Sequence, residues 1–244
     1  MKQSGKQRID QLLVDRGLVE SRQKAQALIL AGQVTINGQK AQKAGQTVVA
    51  DASVELAEKL RYVSRGGLKL EAALDHFHVD PAGKVCIDIG ASTGGFTDCL
   101  LQRGAVRVYA IDVGTNQLDW KLRTDPRVIV REQVNARHLA PGDIPELCSL
   151  AVFDVSFISV TMIVPAVVPV LQPNGEMIIL AKPQFEVGKG QVGKGGIVRD
   201  PALHLEACRR VQATVEELGF RTELMDSPIR GAEGNREFLL HAAH

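Results

Sequence analysis

From Gly67 onward, short runs of branched apolar residues alternate with helix-length segments, and this alternation constrains the fold more than any other feature of the chain. The strand candidates are Lys84 to Ile89, Arg107 to Ile111, Val128 to Val130, Leu150 to Phe153, Met177 to Ala181, Arg221 to Met225 and Glu237 to His241. Helix candidates lie near 68–78, 95–103, 159–171 and 201–218, the last opened by Asp200-Pro201, a cap residue followed by proline in the first turn. Seven strands with intervening helices predict an α/β domain built on a doubly wound parallel sheet. Ligands in such sheets sit outside the carboxyl ends of the central strands, so the residues that end those strands are the place to seek chemistry.

The first strand ends in Asp88-Ile89-Gly90-Ala91-Ser92-Thr93-Gly94-Gly95-Phe96, a small-residue turn that lets a ligand approach the backbone closely. Ser92 stands where the dinucleotide fingerprint G-x-G-x-x-G has its second glycine, which disfavours a dehydrogenase. The second strand ends at Asp112, where a carboxylate can accept hydrogen bonds from both hydroxyls of an adenosine ribose. Together these features predict a nucleoside pocket; a tight turn plus a helix-capping aspartate is the plainer alternative. A second glycine-rich run, Gly188 to Gly195, nearly spells a P-loop, but Gly195 replaces the Ser or Thr that would hold magnesium. Val187 to Val198 therefore reads as a flexible basic loop over a substrate.

Charged residues at the ends of apolar strands are the most informative group. Asp154 follows Ala151-Val152-Phe153, Lys182 follows Met177 to Ala181, Glu237 opens the last strand, and Lys69 lies in the helix before the first strand. Singly, each has a structural explanation as a cap, a strand terminus or a solvated side chain. Buried charges are unfavourable unless paired, so two lysines and two carboxylates meeting at one sheet edge would satisfy one another.

The amino end is different in character. The chain up to Arg65 carries 11 basic and 6 acidic residues, against 18 and 22 in the remainder, which suggests that the first part meets a polyanion. Residues 8 to 16 fit a short helix stopped by Gly17, Ser21 caps a second that ends at Gly32, and Val34-Thr35-Ile36 leads into the hairpin signal Asn37-Gly38. Val48-Val49 and Val54 to Leu56 supply further strands of a small α+β unit. Arg8, Arg16, Arg22, Lys24, Lys40 and Lys43, with Arg65 beyond them, are candidate contacts to RNA phosphates. No aromatic residue lies among the first six, which argues against binding a single strand by base stacking. The expected domains are 1–57, a linker at 58–66 reading as a hinge because of its charges and glycine pair, and 67–244.

Other classes are disfavoured. The longest nearly apolar stretch, Phe157 to Leu171, is broken by Pro165 and Pro169 and falls short of the roughly 20 residues of a membrane-spanning helix. MKQSGKQRID turns polar where a signal peptide would be apolar, which favours a cytoplasmic location. Cys86, Cys99, Cys148 and Cys208 have neither CxxC spacing nor a histidine at ligand spacing, so no disulfide framework or metal site is expected.

The segment RIDQLLVDRGLVESRQKAQALILAGQVTINGQ resembles the alpha-L RNA-binding module of a small-subunit ribosomal protein, pseudouridine synthases and tyrosyl-tRNA synthetases. Lys69, Asp154, Lys182 and Glu237, in that order, with the GASTGGF loop and Asp112, look like the Lys-Asp-Lys-Glu tetrad of FtsJ-type ribose 2′-O-methyltransferases. SRGGLKL, DIGASTGGFTDCLL, FDVSFIS, LAKPQFE and GNREFL are similar to the hemolysin-A-like TlyA family of ribosomal RNA methyltransferases. The resemblance implies a Rossmann-like domain, S-adenosylmethionine as cofactor, ribosomal RNA or a ribosomal subunit as partner, and Asp88, Gly90 to Phe96 and Asp112 at the donor. It also implies catalysis by the tetrad, and the need to remove the proton of a weakly acidic ribose hydroxyl makes Lys182 the expected base. After the third strand, where an acidic residue often contacts adenine in methyltransferases, this chain has Asn135. The rival readings are a non-catalytic RNA-binding or assembly factor on the same scaffold, base methylation, and membrane lysis, which the family's hemolysin name suggests.

Overall fold

The computed structural model describes residues 5–30, 32–56, 61–231 and 233–244. The chain divides into two compact units, 1–59 and 60–244.

In the first unit, β1 (Lys6–Arg8) leads directly into α1 (Ile9–Asp15), followed by α2 (Arg22–Leu30), β2 (Val34–Ile36), β3 (Gln39–Lys40), β4 (Thr47–Val49) and β5 (Val54–Leu56). The Ser21 hydroxyl accepts the Lys24 N–H at 3.2 Å, as its capping position predicts. Asn37 and Gly38 both take positive φ, 48° and 80°, so the β2–β3 connection is the two-residue turn that an Asn-Gly pair favours. The strands form two small sheets rather than one: β5 pairs with β2, whereas β4 pairs with β1. Ile9, Leu13, Ala25, Ile29, Val34 and Ile36 make the core.

Asp10 is fully buried beside that core and gathers four bonds. Arg8 donates to both of its oxygens, at 3.0 and 2.8 Å, while Arg22 and Gln26 each donate to Oδ2 at 3.0 Å. The Arg8 hydrogen bonds hold this carboxyl well below the usual carboxylate range against the opposing effect of burial.

The second unit begins with α3 (Gly66–His76), then β6 (Val85–Ile89), α4 (Gly95–Gln102), β7 (Arg107–Ile111), α5 (Trp120–Arg123) and β8 (Val128–Arg131). There follow β9 (Cys148–Phe153), α6 (Val164–Val167), β10 (Leu171–Ala181), α7 (Pro183–Glu186), α8 (Pro201–Glu217), β11 (Arg221–Asp226) and β12 (Phe238–Ala243). The sheet order is β11-β12-β10-β9-β6-β7-β8. After β8 the chain crosses back to β9 on the other side of β6, which makes the β6–β9 boundary the switch point of the sheet. Side chains alternate between two cores across the pleat. Ile87, Phe153 and Ile179 join the cluster containing Val211 and Val215 of α8, whereas Cys86, Val152 and Ile178 join that containing Leu70 of α3 and Leu100 of α4.

Three expectations are corrected. The sheet is not wholly parallel: β12 runs antiparallel to both β10 and β11, because only a loop joins β11 to β12 and no crossover helix is available to reverse direction. The helix expected over 159–171 is broken into short pieces, with 3-10 turns at Val160–Met162 and Val168–Val170 around α6, since Pro165 and Pro169 cannot continue a helical ladder. The expected hinge lies partly outside the described residues, at 58–60; the rest is packed into the second unit. Tyr62 is buried, the Val63 N–H binds Asp98 at 2.9 Å, and a Cβ on Gly67 would fall 2.3 Å from the Tyr62 ring, so only glycine lets that ring lie beneath α3. The four cysteines are buried thiols. Among the described residues, no helix is long and apolar enough to cross a membrane.

Asp88, near the end of β6, is fully buried, with Oδ2 accepting the Thr97 hydroxyl at 2.6 Å and Oδ1 without a partner among the described residues. Burial pushes this carboxyl up to about 7, the Thr97 bond opposes the rise, and nearby Asp154 adds to it. The folded state thus prefers the protonated form, so the stability that Asp88 contributes is complete below the ordinary carboxylate pKa and drains away as pH rises to about 7. Substitution with neutral asparagine should gain roughly 2–4 kcal/mol relative to the parent on going from pH 5 to pH 8 in denaturant titrations; parallel pH dependences would contradict this. In the first unit, Asp10→Ala leaves two half-exposed guanidiniums without their buried carboxylate and should raise amide exchange across α1 and α2 by about 2 kcal/mol of lost protection in the full chain. Unchanged exchange there would show that the cluster is not structural.

Candidate active site

Two neighbouring cavities lie at the carboxyl ends of β6, β7 and β9, where the switch point places a ligand. The first, of 310 Å³, is bounded by Ser64, Arg65, Gly66 and Lys69 on one side and by Gly90 to Thr93, Gly95 and Phe96 on the other. Gly90 has φ +84°, and a Cβ there would stand 2.7 Å from the Asp154 carbonyl oxygen, so glycine permits the β6 and β9 ends to close on each other. The second cavity, of 420 Å³, shares Gly90, Ser92 and Asp154 with the first and extends between Ile111 to Val113, Val134 to Ala136 and Ile163.

The groups in these cavities suit a nucleoside with an amino-acid tail. Asp112 accepts the Ser92 N–H on Oδ2 at 2.8 Å and the Gly114 N–H on Oδ1 at 2.7 Å, which fixes the carboxylate and leaves each oxygen a lone pair for a ribose hydroxyl. Asn135 accepts the Arg137 N–H on Oδ1 at 3.1 Å, so its amide nitrogen is what it can offer a base. Val113, Val134 and Ile163 supply apolar surface for a ring. Asp88 lies behind the loop and lines neither cavity, because its side chain turns back to Thr97; Gly94 also lies off the walls, packed against Leu118 and Leu122.

A third cavity, of 440 Å³, contains all four charged strand-end residues and shares Ser92, Asp154, Ser156 and Phe157 with the second. Lys69 and Glu237 meet at 2.5 Å, and both are buried. Lys182, also buried, meets Asp154 at 2.7 Å and donates to the Ser156 hydroxyl at 2.9 Å. Four segments spread over 168 residues thus bring two lysine–carboxylate pairs to the wall of one cavity.

Neighbouring side chains hold these segments in place. Glu186, buried on α7 four residues after Lys182, accepts the Ser159 hydroxyl at 2.5 Å and the Val160 N–H at 2.8 Å, tying the Lys182 segment to the loop that carries Asp154. Burial raises its carboxyl pKa while these bonds oppose the rise. Asn235, two residues before Glu237, accepts the Val198 N–H at 3.0 Å and donates to the Gly196 carbonyl at 2.8 Å. His204 Nε2 donates to the Val198 carbonyl at 2.9 Å. The carboxyl half of the basic loop is therefore pinned rather than flexible, and Val192 and Gly196 form part of the cavity wall. Ser156, Phe157, Glu186 and Asn235 lie within or beside the quoted motifs, but nothing in an uncharged side chain, or in a lone glutamate, signals burial or a cavity. Phe157 is 92% exposed with φ +65°, a conformation that β-carbon sterics disfavour and sequence does not reveal.

The predicted RNA contacts divide into two groups. Arg8 and Arg22 are engaged with Asp10, and Arg16 donates to the Ala50 carbonyl at 2.6 Å. Lys24, Lys40 and Lys43 are exposed and have no ion-pair partner among the described residues. Arg65 lines the first cavity and donates to the Arg230 carbonyl at 3.1 Å.

Residues 62–244 match the FtsJ-like methyltransferase family, and residues 7–54 match the S4 domain. The chain is 49% identical to the Bacillus subtilis protein YqxC, which is named for rRNA methyl transfer, over 98% of this chain and 86% of that one. It is 47% identical to the Mycobacterium tuberculosis 16S/23S rRNA (cytidine-2′-O)-methyltransferase TlyA, over 96% of this chain and 88% of that one. A solved structure of a hemolysin-named protein from Streptococcus thermophilus superposes with a TM-score of 0.76 at 47% identity, covering 98% of this chain and 89% of that one. By its sequence and its fold, the chain belongs to the FtsJ-like methyltransferase family and carries an S4 domain at its amino end.

Proposed function

We propose that this protein transfers a methyl group from S-adenosylmethionine to the 2′-hydroxyl of a cytidine in ribosomal RNA, with Lys182 as the base. The observation that carries this reading is the cavity in which two lysine–carboxylate pairs meet, continuous through Ser92 and Asp154 with a cavity suited to a nucleoside donor. The choice of cytidine rests on the Mycobacterium tuberculosis relative, which is named as a 16S/23S rRNA (cytidine-2′-O)-methyltransferase.

The bound donor supplies a methyl group on a sulfonium, which is already a good leaving group. The protein's remaining task is to align the ribose hydroxyl and remove its proton. Two of the tetrahedral positions on Lys182 Nζ are directed to Asp154 and Ser156. With those two N–H groups engaged, the third position of a neutral amine is a lone pair available to a hydroxyl in the cavity. Asp154 spans the donor and acceptor cavities, so the same carboxylate that fixes Lys182 also sets the distance between base and donor. Lys69, held by Glu237, is placed to stabilise charge developing on the hydroxyl oxygen. The S4 domain, with exposed Lys24, Lys40 and Lys43, provides sequence-independent affinity for RNA phosphates.

Lys182→Arg keeps the charge and the carboxylate partner but cannot release a proton, so kcat should fall by about 10²–10⁴ while donor affinity by calorimetry stays within about threefold. Asp112→Ala should show the converse, with donor affinity weakened about tenfold or more. Digestion of the methylated RNA to nucleosides should yield 2′-O-methylcytidine; a base-methylated nucleoside, or full activity in Lys182→Arg, would refute the reading.

A further inference from the structure

We propose that the turn from Gly193 to Gly196, together with Arg199, is a binding site for the RNA phosphodiester on the 3′ side of the target ribose. The inference rests on the reading of the third cavity as the place where the acceptor ribose binds. It gives a role to the glycine-rich run that nearly spells a P-loop.

That run lacks the hydroxyl that would hold magnesium on a nucleoside triphosphate, yet its backbone is arranged to meet a single anion. Gly193 and Ile197 pair as a short antiparallel bridge, with the Gly193 N–H on the Ile197 carbonyl at 3.1 Å, and the Gly196 N–H returns to the Gly193 carbonyl at 3.1 Å. The intervening N–H groups of Lys194 and Gly195 are left without a partner among the described residues. Gly195 and Gly196 take φ of +76° and +74°, where other residues are strained, and a β-carbon on either would meet nothing within 4 Å. Glycine here serves the conformation of the turn and the approach of a ligand, not packing within the protein. Successive free N–H groups in such a turn form a concavity that attracts anions.

Arg199 adds the charge. Its Nη1 lies 3.3 Å from where a β-carbon on Gly193 would stand, so glycine lets the guanidinium lie against the base of the turn. Arg199 is exposed and has no ion-pair or hydrogen-bond partner among the described residues; the carboxylate of neighbouring Asp200 is turned to the Ala202 N–H at 2.9 Å. Its forked N–H groups match the geometry of a phosphate. Lys194, exposed and likewise unpaired among the described residues, carries a second positive charge at the turn.

The turn is fixed at the acceptor cavity. Asn235 holds the Gly196 carbonyl and the Val198 N–H, and Gly196 forms part of the wall of the cavity that contains Lys182. The 2′ and 3′ oxygens of a ribose sit on adjacent carbons, so a 2′-hydroxyl at Lys182 brings the 3′ phosphodiester to the wall of the same cavity. The other walls do not suit it: both lysines of the tetrad are paired with carboxylates, Phe157 and Phe185 are apolar, and Glu233 is an exposed carboxylate. Phosphate held at the glycine turn fixes the ribose relative to the base and the methyl donor.

The test uses the full-length protein and ribosomal subunits reconstituted with RNA that carries a neutral methylphosphonate on the 3′ or the 5′ side of the mapped target. With the parent protein, the 3′ substitution should lower kcat/KM by about tenfold or more and the 5′ substitution by less than about threefold. Arg199→Gln should lower kcat/KM on unsubstituted RNA by about tenfold and shrink the further loss from the 3′ methylphosphonate to about twofold or less. Arg199→Lys, which keeps the charge, should retain a clear 3′ penalty, and donor affinity by calorimetry should match the parent in both variants, which guards against misfolding. An equal 3′ penalty in the parent and in Arg199→Gln would overturn the assignment, as would a larger penalty on the 5′ side. Nucleoside digestion separates the two levels of the argument: a base-methylated product would refute ribose methylation itself, whereas 2′-O-methylated product with an equal 3′ penalty would refute only the phosphate site.

Discussion

The second unit depends on pairing four charges, three of them on buried residues and one on half-buried Asp154, at the wall of one cavity. A lone buried ammonium or carboxylate is strongly disfavoured, and only close pairing makes such a group tolerable. Lys69–Glu237 and Lys182–Asp154 satisfy this requirement with one partner each from distant segments, so the helix before the first strand, the β9 end, the β10 end and the start of β12 must all arrive at one place. The antiparallel insertion of β12 between β10 and β11 brings Glu237 there. The polar links from Glu186 and Asn235 hold the intervening loops in register around the pairs.

Much of this was legible in the sequence because it follows from periodicity and burial. Largely apolar runs of four to six residues marked the strands within a residue or two at β6, β7 and β9, and the Asn-Gly pair marked the turn between β2 and β3. The charged residues were recognisable because charge directly after an apolar strand has few bland explanations once several occur together. What escaped the sequence is what depends on tertiary placement. The direction of β12 depends on a connection without a helix, and Pro165 and Pro169 break a stretch that is otherwise apolar enough to pass for a helix. Tyr62 and Gly67 looked like parts of a linker, since nothing local reveals that a ring fills the space left by a missing β-carbon. Arg8 and Arg22 looked like free phosphate contacts because Asp10 gives no local sign that it is buried between them.

The two units apply different physics to one substrate. The amino-terminal unit offers exposed lysines on a small scaffold without aromatic platforms, suited to phosphates and RNA shape. The second unit offers a charged cavity and an aromatic pair, suited to a single nucleotide and its sugar. Affinity and chemistry can therefore be altered separately by substitution.

The central claim is that the amine of Lys182 removes the proton from the ribose hydroxyl, and chemical reconstruction of that amine tests it most directly. The native cysteines lie in the two hydrophobic cores, whereas position 182 lines the 440 Å³ cavity, so a cysteine introduced as Lys182→Cys can be alkylated selectively with bromoethylamine to rebuild a lysine analogue whose thioether makes the amine less basic. Single-turnover methyl transfer should be lost in Lys182→Cys and restored by alkylation, with the rising limb of its pH profile moved to lower pH. Restoration with an unmoved profile, or undiminished transfer before alkylation, would contradict the account.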